Sequence, residues 1–253
     1  MGHQNLLKLL RRLSVINETK KKMIGNRCDQ IKPVRKIKPT RRSISGVMAF
    51  KGLGGVAFES SLERDFLKRM RFSHQVESVI SQPVEVPFTD SLDRPQIYTP
   101  DYLVFYHQRH LPYFGELRPL LVEVKPREQW VEKWRDWAGK WKEARRLART
   151  QGWQFRIYDE SRIRGLPLEN IVFLERFERM IFEQGDIDAV LNTLREMEVA
   201  PVHYLLARHF NGIFRDRGVS LLWHLIATRQ VDCDITEPLN YDLELWVPDH
   251  EAV

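Results

Sequence analysis

The sequence predicts an α/β fold, with a mixed β-sheet flanked by helices and a mainly helical C-terminal region after it. Short runs of β-branched and aromatic residues, separated by turn-forming residues, recur between positions 76 and 125 and are typical of strands. An amphipathic helix over 128–150 leads to a further strand over 153–158, and this strand–helix–strand unit indicates a crossover within one sheet. Beyond about residue 168 the apolar residues follow a helical period instead.

Positive charge is concentrated at the start of the chain. The net charge is +6, but residues 1–50 hold 13 Lys or Arg against two acids, and residues 51–253 carry −5. Such a basic extension binds nucleic acid in a salt-dependent way, although a solubilising or localisation tail has the same composition. No apolar run approaches the ~20 residues of a membrane span, and the start lacks a signal-peptide pattern. Cys28 and Cys233 form neither a zinc spacing nor a disulfide framework.

The extension reads as a short amphipathic helix over 6–16 and then an irregular Lys/Arg/Pro-rich segment, and the glycines within 52–55 suggest a flexible boundary. A helix is predicted next, over 58–70, and Glu59 and Glu63 both fall within its apolar arc. A carboxylate on the inward face of a helix needs a cation, a metal ion or hydrogen-bond donors. The alternative is that both acids lie at the rim of a wide arc or form ordinary ion pairs.

The central part of the chain contains the predicted sheet. We expect strands over 76–80, 84–88, 102–106 and 120–125, with turns at 81–83 and 89–95 and a longer connection over 107–119. In the helix over 128–150 a helically spaced seam comprises Trp130, Trp134, Trp137, Trp141, Ala144 and Ala148. Packing on the sheet is favoured over stacking on bases for these tryptophans. The lysines and arginines of this helix, including Lys140, fall largely off the seam.

The C-terminal region predicts helices over 171–183, 186–197, 201–210 and 218–229, then a hairpin formed by 230–235 and 242–247. This order of elements, several helices and then a small hairpin, is typical of a winged-helix module. The last of these helices has only Arg229 as a strong base, whereas a winged helix that reads DNA is usually more basic. We therefore expect this region to dock proteins or to have an architectural role.

The candidate reactive residues lie on two of the predicted strands. Glu123 and Lys125 share one face of an otherwise apolar strand, because successive side chains alternate. Asp101 opens the strand over 102–106, and its separation from Glu123 suits a hairpin that pairs the two strands. Phosphodiester hydrolysis needs an activated water and charge stabilisation, which Mg²⁺ held by carboxylates provides with a nearby Lys. Together with Glu63, these residues indicate a metal-dependent nuclease.

Pro100-Asp101 and Glu123-Val124-Lys125 resemble the motif of the PD-(D/E)xK nuclease superfamily, which implies a restriction-endonuclease-like fold. With the stretches 58–66, 81–83, 98–104 and 121–125, the chain is similar over about residues 56–160 to TnsA, the endonuclease subunit of heteromeric cut-and-paste transposons. The resulting division is a basic extension (1–50), an endonuclease domain (51–167) and a winged-helix-like domain (168–253).

The resemblance also implies roles for single residues. Glu63, Asp101, Glu123 and Lys125 would be catalytic, and the three carboxylates would bind Mg²⁺, with Mn²⁺ as a substitute and two ions in the site. Glu59 competes with Glu63 by helical projection, and the context Leu-Glu-Arg-Asp-Phe favours Glu63. Gln82 is a candidate support for the metal ligands or a DNA contact, and equally a plain turn residue before Pro83. The candidate DNA contacts in the extension are Lys36, Lys38, Arg41 and Arg42.

The implied function is nicking of the 5′ strands at transposon ends. The partners implied are double-stranded DNA at the transposon ends, a DDE transposase (TnsB-like) that joins the 3′ ends to target DNA, and an AAA+ ATPase regulator (TnsC-like) that contacts the C-terminal domain. We expect a bacterial cytoplasmic, nucleoid-associated protein with no membrane segment. Two alternatives stay open. The first is a free-standing restriction or repair nuclease of the same superfamily, and the second is a non-catalytic DNA-binding assembly factor.

Overall fold

A computed structural model describes residues 32–34, 44–52, 54–107, 117–210, 212 and 215–248. The candidate DNA contacts of the extension, Lys36, Lys38, Arg41 and Arg42, lie outside these residues. No helix in the described part of the chain combines the length and the apolar character needed to cross a bilayer.

A four-stranded mixed sheet forms the centre of the N-terminal half. Its strands are β3 (Val76–Ser81), β6 (Tyr102–Tyr106), β7 (Leu120–Val124) and β8 (Gln154–Tyr158), in the order β3-β6-β7-β8. β6 is antiparallel to β3 and to β7, whereas β7 and β8 are parallel. The parallel pair follows from the helical crossover, because a tight turn can join only antiparallel strands. The predicted mixed α/β sheet flanked by helices is thus confirmed.

A short hairpin precedes the first long helix. Its strands are β1 (Gly46–Ala49) and β2 (Gly55–Phe58), and Phe50 beside it is 1% exposed. The glycine-rich stretch that suggested a flexible boundary forms the turn of this hairpin, where Gly52 and Gly54 have positive φ angles. Residues before and after Phe50, namely Met48, Val56 and Phe58, pack into the same core as the sheet.

Helix α1 (Ser61–Phe72) begins later than the sequence predicted, so the expected start at residue 58 is wrong. Phe58 is the last residue of β2, and the helix starts after Ser60 because the Ser60 side chain accepts the Glu63 N–H at 3.1 Å. A serine N-cap of this kind satisfies a backbone donor that has no partner within the helix. The inward face is as predicted, since Leu62, Phe66 and Leu67 are buried.

A second hairpin, β4 (Val86–Thr89) with β5 (Pro95–Tyr98), lies beside the sheet, and β5 was not predicted. The turn between these strands is where the sequence placed one. Gly139 of the crossover helix faces this hairpin, and a Cβ added there would lie 3.4 Å from the Thr89 carbonyl oxygen. The hairpin thereby carries Tyr98 toward the end of β7.

The crossover is two helices rather than one. α2 (Arg127–Glu132) and α3 (Trp134–Thr150) are separated at Lys133, so the continuous helix over 128–150 is wrong. The break turns Trp134 outward, where it is 53% exposed, although the seam predicted it inside. Trp141, Ala144 and Ala148 are buried as expected, and Gly152 ends the crossover with a φ of 74°.

The sheet has two apolar faces, each with its own core. On one face Leu62 and Phe66 of α1 pack with Tyr102, Val122 and Val124. On the other, Trp141, Ala144 and Ala148 of α3 pack with Leu103, Leu121 and Phe105. Successive strand residues alternate between the faces, so Glu123 lies on the side of α3. This alternation decides which helix can approach each polar group.

The C-terminal half is mainly helical, as predicted. After α4 (Glu160–Ile163) it contains α5 (Leu166–Leu174), α6 (Gln184–Met197), α7 (Val202–His209) and α8 (Arg215–Ala227). The predicted helix over 171–183 is wrong, because Gly165 and a proline in the first turn start α5 earlier and it ends at Leu174. The predicted hairpin is present as β10 (Asp232–Cys233) and β11 (Glu244–Trp246), and β9 (Ala200–Pro201) adds a third strand.

Candidate active site

Asp101 and Glu123 meet where β6 begins and β7 ends. Tyr102 pairs with Val122 in the antiparallel ladder, which sets Asp101 opposite Glu123 one step further along. The Val124 N–H donates to Asp101 Oδ2 at 2.7 Å, so the carboxylate replaces the strand partner that the backbone lacks at this point. The register of two strands therefore fixes the two acids next to each other.

Lys125 lies between the two carboxylates. Its Nζ is 3.5 Å from Asp101 Oδ2 and 3.6 Å from Glu123 Oε1. Its backbone N–H donates to the Tyr158 carbonyl at 3.0 Å, so β8 holds the chain in place just beyond the end of β7. The expectation that Glu123 and Lys125 point the same way is confirmed by these contacts.

The charges of this group are strongly coupled. Burial raises the pKa of Asp101 well above its ordinary value of 3.8, and the charge of Glu123 raises it further, against the opposing effect of Lys125. Burial alone lowers the pKa of Lys125, but the charges of Asp101, Glu123 and Glu63 more than offset it, so this pKa lies above its ordinary 10.5. Lys125 is consequently an ammonium at neutral pH.

Two further residues contact Glu123, and the sequence assigned neither of them a role. The Tyr98 hydroxyl donates to Glu123 Oε2 at 2.6 Å, and Lys140 Nζ is 3.4 Å from Glu123 Oε1. Burial and then the charge of Glu123 raise the pKa of Tyr98 well above 10.0, which keeps its hydroxyl a donor. The available signal for Lys140 was its place one residue before Trp141, at the edge of the apolar seam.

Glu63 approaches from the opposite face of the sheet. Its Oε2 accepts the Glu59 N–H at 2.9 Å and the Tyr102 hydroxyl at 3.1 Å, while its Oε1 accepts the Ser60 hydroxyl at 2.9 Å. With the bond from the Glu63 N–H to Ser60, these bonds resemble a capping box, although the backbone N–H that Glu63 accepts belongs to Glu59 and not to the N-cap Ser60. Glu63 is 8% exposed, and its charge still raises the pKa of Asp101. Of the two competing acids, Glu63 is the buried one, and Glu59 precedes the helix.

Gln82 supports Asp101 through its backbone. The Gln82 N–H donates to the Asp101 carbonyl at 2.8 Å, and the Gln82 carbonyl accepts the Val34 N–H at 3.0 Å. Gln82 adopts a left-handed φ of 47° and is 6% exposed, and within the described structure its Oε1 has no hydrogen-bond partner. It is both a turn residue and a neighbour of the site, so the sequence alternatives are not exclusive.

The donor chemistry of the site suits a hard divalent cation. Mg²⁺ prefers oxygen ligands and is commonly held by one or two carboxylates that leave room for water and substrate phosphate. Asp101 and Glu123 provide such a pair. Burial, and then the charge of Glu123, raise the pKa of Asp101, and a bound cation would offset both effects. Among the described residues no group of three or more His, Cys, Asp or Glu side chains is spaced to hold one metal ion. Glu63 is committed to its cap in this conformation.

Comparison with known proteins gives one finding about the family. Residues 73–160 match the family model of the TnsA-like endonuclease N-terminal domain. A search of curated proteins finds no match to the chain. The matched segment contains Asp101, Glu123 and Lys125, together with Tyr98 and Lys140, and it begins after Glu63. Residues 73–160 are therefore similar to a TnsA-like endonuclease N-terminal domain, and this similarity points to a nuclease role in DNA transposition.

Proposed function

We propose that this chain is a metal-dependent DNA endonuclease that nicks the 5′ strands at transposon ends during cut-and-paste transposition. The proposal rests on the grouping of Asp101, Glu123 and Lys125 at the paired ends of two strands. The Lys125 ammonium lies 3.5 Å from the Asp101 carboxylate and 3.6 Å from the Glu123 carboxylate. These residues lie inside the segment that matches the TnsA-like endonuclease domain. Two carboxylates held this close together repel each other, and a bound cation would relieve that repulsion.

Asp101 and Glu123 are the residues that would hold Mg²⁺, with Mn²⁺ as a substitute, and Glu63 joins the proposed ligands. When bound, the metal supplies Lewis-acid stabilisation and a nucleophilic water at neutral pH. We propose two ions, as the resemblance to the family implies. The chain contributes by holding the Asp101 carboxylate with the Val124 N–H and the Glu123 carboxylate with the Tyr98 hydroxyl, so both oxygen donors are placed before the substrate arrives.

Lys125 has a role set by its protonation state. Its raised pKa keeps it charged at neutral pH, so it is suited to stabilise negative charge on the scissile phosphate and to position it. We therefore propose that Lys125 stabilises the charge of the phosphate electrostatically.

The exposed face of α3 offers a surface for the DNA backbone. Its bases Arg135, Lys142, Arg145, Arg146 and Arg149 are all exposed. At 100° per residue they span an arc of about 100°, and the acids of this helix, Asp136 and Glu143, fall outside it. Residues 51–253 are acidic overall, so this basic face stands out. It supports binding of the negatively charged backbone of double-stranded DNA to the outer side of this helix.

The C-terminal half supports a role in assembly. Helices α6, α7 and α8 with the three-stranded sheet β10-β11-β9 support the proposal of a winged-helix-like domain over 168–253. We propose that it docks the AAA+ regulator (TnsC-like), while a DDE transposase (TnsB-like) joins the 3′ ends. An enzyme acting on chromosomal DNA in this way would work in the bacterial cytoplasm at the nucleoid.

The proposal is tested by reconstituting strand cleavage with transposon-end DNA, the transposase and the regulator. Asp101→Ala and Lys125→Ala should abolish 5′ nicking, while 3′-end joining continues. The control is Lys133→Ala, an exposed lysine near the site, which should nick as the wild type does. Nicking that survives Asp101→Ala would show that the reactive site lies elsewhere.

Two simpler measurements separate the alternatives. Efficient cleavage of plasmid by the purified chain with Mg²⁺ alone would favour a free-standing nuclease. Failure to bind Mg²⁺ or Mn²⁺, together with unaltered transposition in the Asp101 and Lys125 variants, would favour an assembly factor without catalytic activity.

A further inference from the structure

Lys140 is a buried cation beside a proposed metal ligand. Its ammonium lies 3.4 Å from Glu123 Oε1, and its side chain is only 14% exposed. Three aromatic rings surround it, with centroids 4.7 Å away for Tyr98, 4.5 Å for Trp137 and 5.6 Å for Trp141. An ammonium held over aromatic faces is attracted by their negative surfaces. The rings thus hold Lys140 in place independently of its contact with Glu123.

The second oxygen of Glu123 is held separately. Tyr98 donates to Oε2 at 2.6 Å, which is a short bond to a carboxylate. Removal of the Lys140 charge would therefore leave Glu123 oriented. The lysine is not needed to place the carboxylate, so its main effect on Glu123 is electrostatic.

The charges around the site nearly cancel in this structure. Three carboxylates, Glu63, Asp101 and Glu123, lie near two ammonium groups, Lys125 and Lys140, which leaves one net negative charge when all five groups are ionised. Addition of a divalent cation makes the sum positive in a place of low dielectric, where like charges repel strongly. A DNA phosphate would bring the compensating negative charge.

We propose that Lys140 is an internal cation that competes with the metal for Glu123, so that metal loading depends on the arrival of DNA. This inference rests on the proposed function and adds a regulatory residue to it. Lys140 is a charge-compensating residue in this scheme, since it touches a metal ligand rather than the reacting atoms. The full chain without DNA would bind metal weakly and so be inactive on its own.

The test is Mn²⁺ titration of the full-length chain by calorimetry, without DNA, alongside thermal unfolding of the metal-free protein. Lys140→Met keeps much of the side-chain volume among the rings and removes the charge. The matched control is Lys133→Met, because Lys133 lies 6.0 Å from the same Trp137 ring and is exposed. Lys140→Arg keeps the charge, and Asp101→Asn tests whether the Mn²⁺ measured is bound at this site.

Lys140→Met should bind Mn²⁺ about tenfold more tightly or better, because a repelling charge is removed close to the ion. Its metal-free form should unfold at a lower temperature than Lys133→Met, since Glu123 loses a neighbouring cation. Lys140→Arg should stay close to the wild type in both measurements. An unchanged or weaker Mn²⁺ affinity in Lys140→Met, with binding that still needs Asp101, overturns the role of Lys140 alone. Absence of Asp101-dependent Mn²⁺ binding in every variant overturns the proposed metal site as well.

Discussion

The hydrogen bond from Tyr98 to Glu123 gives the sharpest stability prediction. Tyr98→Phe removes one oxygen and nothing else from a side chain that is 7% exposed, and it leaves Oε2 of a 1% exposed carboxylate without its donor. Lys125 and Lys140 both contact the other oxygen, Oε1, so neither replaces the lost bond. The variant therefore isolates a single charge-assisted bond.

The expected cost follows from the burial of the two partners. A hydrogen bond to a charged group contributes about 1.5–3 kcal/mol net. We expect the free energy of unfolding to fall by about 2 kcal/mol, which in a chain of this size lowers the unfolding midpoint by roughly 4–8 °C. The proposed metal affinity should fall as well, by about 10- to 100-fold, as is typical when a group that holds a metal ligand is lost.

The assay is urea unfolding followed by tryptophan fluorescence, because Trp137 and Trp141 lie close to the altered position. Tyr204→Phe is the control, since its hydroxyl accepts only a solvent-exposed bond from Arg208, and it should cost less than about 0.5 kcal/mol. A double-mutant cycle with Glu123→Gln measures the coupling directly. If Tyr98→Phe costs as much with Gln at position 123 as with Glu, the cost arises from packing and the reasoning about this bond is refuted.

Three further predictions concern residues around the site. Because the pKa of Asp101 is raised in the folded state, its contribution to stability is complete below pH 3.8 and is lost as the pH rises through the folded-state pKa. In thermal unfolding scans without metal, Asp101→Asn should therefore be more stable than the wild type at pH 8, and the difference should shrink toward pH 4. An equal difference at both pH values would contradict this. Glu63→Gln should keep the helix cap, because Gln also serves in a capping box, and should change the free energy of unfolding by less than about 0.5 kcal/mol. The same variant should nick the 5′ strand more slowly if the charge of Glu63 is needed for the reaction. A large loss of stability would show that the charge itself holds the cap. Trp141→Ala should cost about 3–5 kcal/mol in denaturant unfolding and Trp134→Ala less than about 0.5 kcal/mol, and similar costs would contradict the break at Lys133.

The sequence predicted the sheet and its paired acids because both depend on local patterns. Alternation along β7 determines that Glu123 and Lys125 share a face, and the hairpin length brings Asp101 opposite Glu123. The start of α1 was misplaced because Phe58 and Glu59 fit the helical period, whereas Ser60 ends that period by capping the helix. The break at Lys133 was missed for a related reason, since Trp130 and Trp134 continue the seam on either side of it.

Tyr98 and Lys140 could not be predicted from the sequence, because their roles depend on tertiary contacts. Tyr98 reaches Glu123 from a hairpin that packs on α3, and Lys140 reaches it from α3 itself. Helical projection places Lys140 at the edge of the buried face, where a lysine normally extends its ammonium into solvent. It turns inward here because three aromatic rings and a carboxylate supply the interactions that water would otherwise provide.

The position of Glu63 explains how a residue outside the matched segment supports the site. Glu63 accepts the hydroxyl of Tyr102, which lies on the α1 side of the sheet, while the neighbouring Asp101 side chain lies on the α3 side and accepts the Val124 N–H. The Asp101 carbonyl is held in addition by Gln82. The first residues of β6 are thus fixed from both faces and along the backbone. Glu63 thereby limits the movement of Asp101 even while its carboxylate caps α1, because a shift of Asp101 would also have to displace Tyr102 from that buried bond.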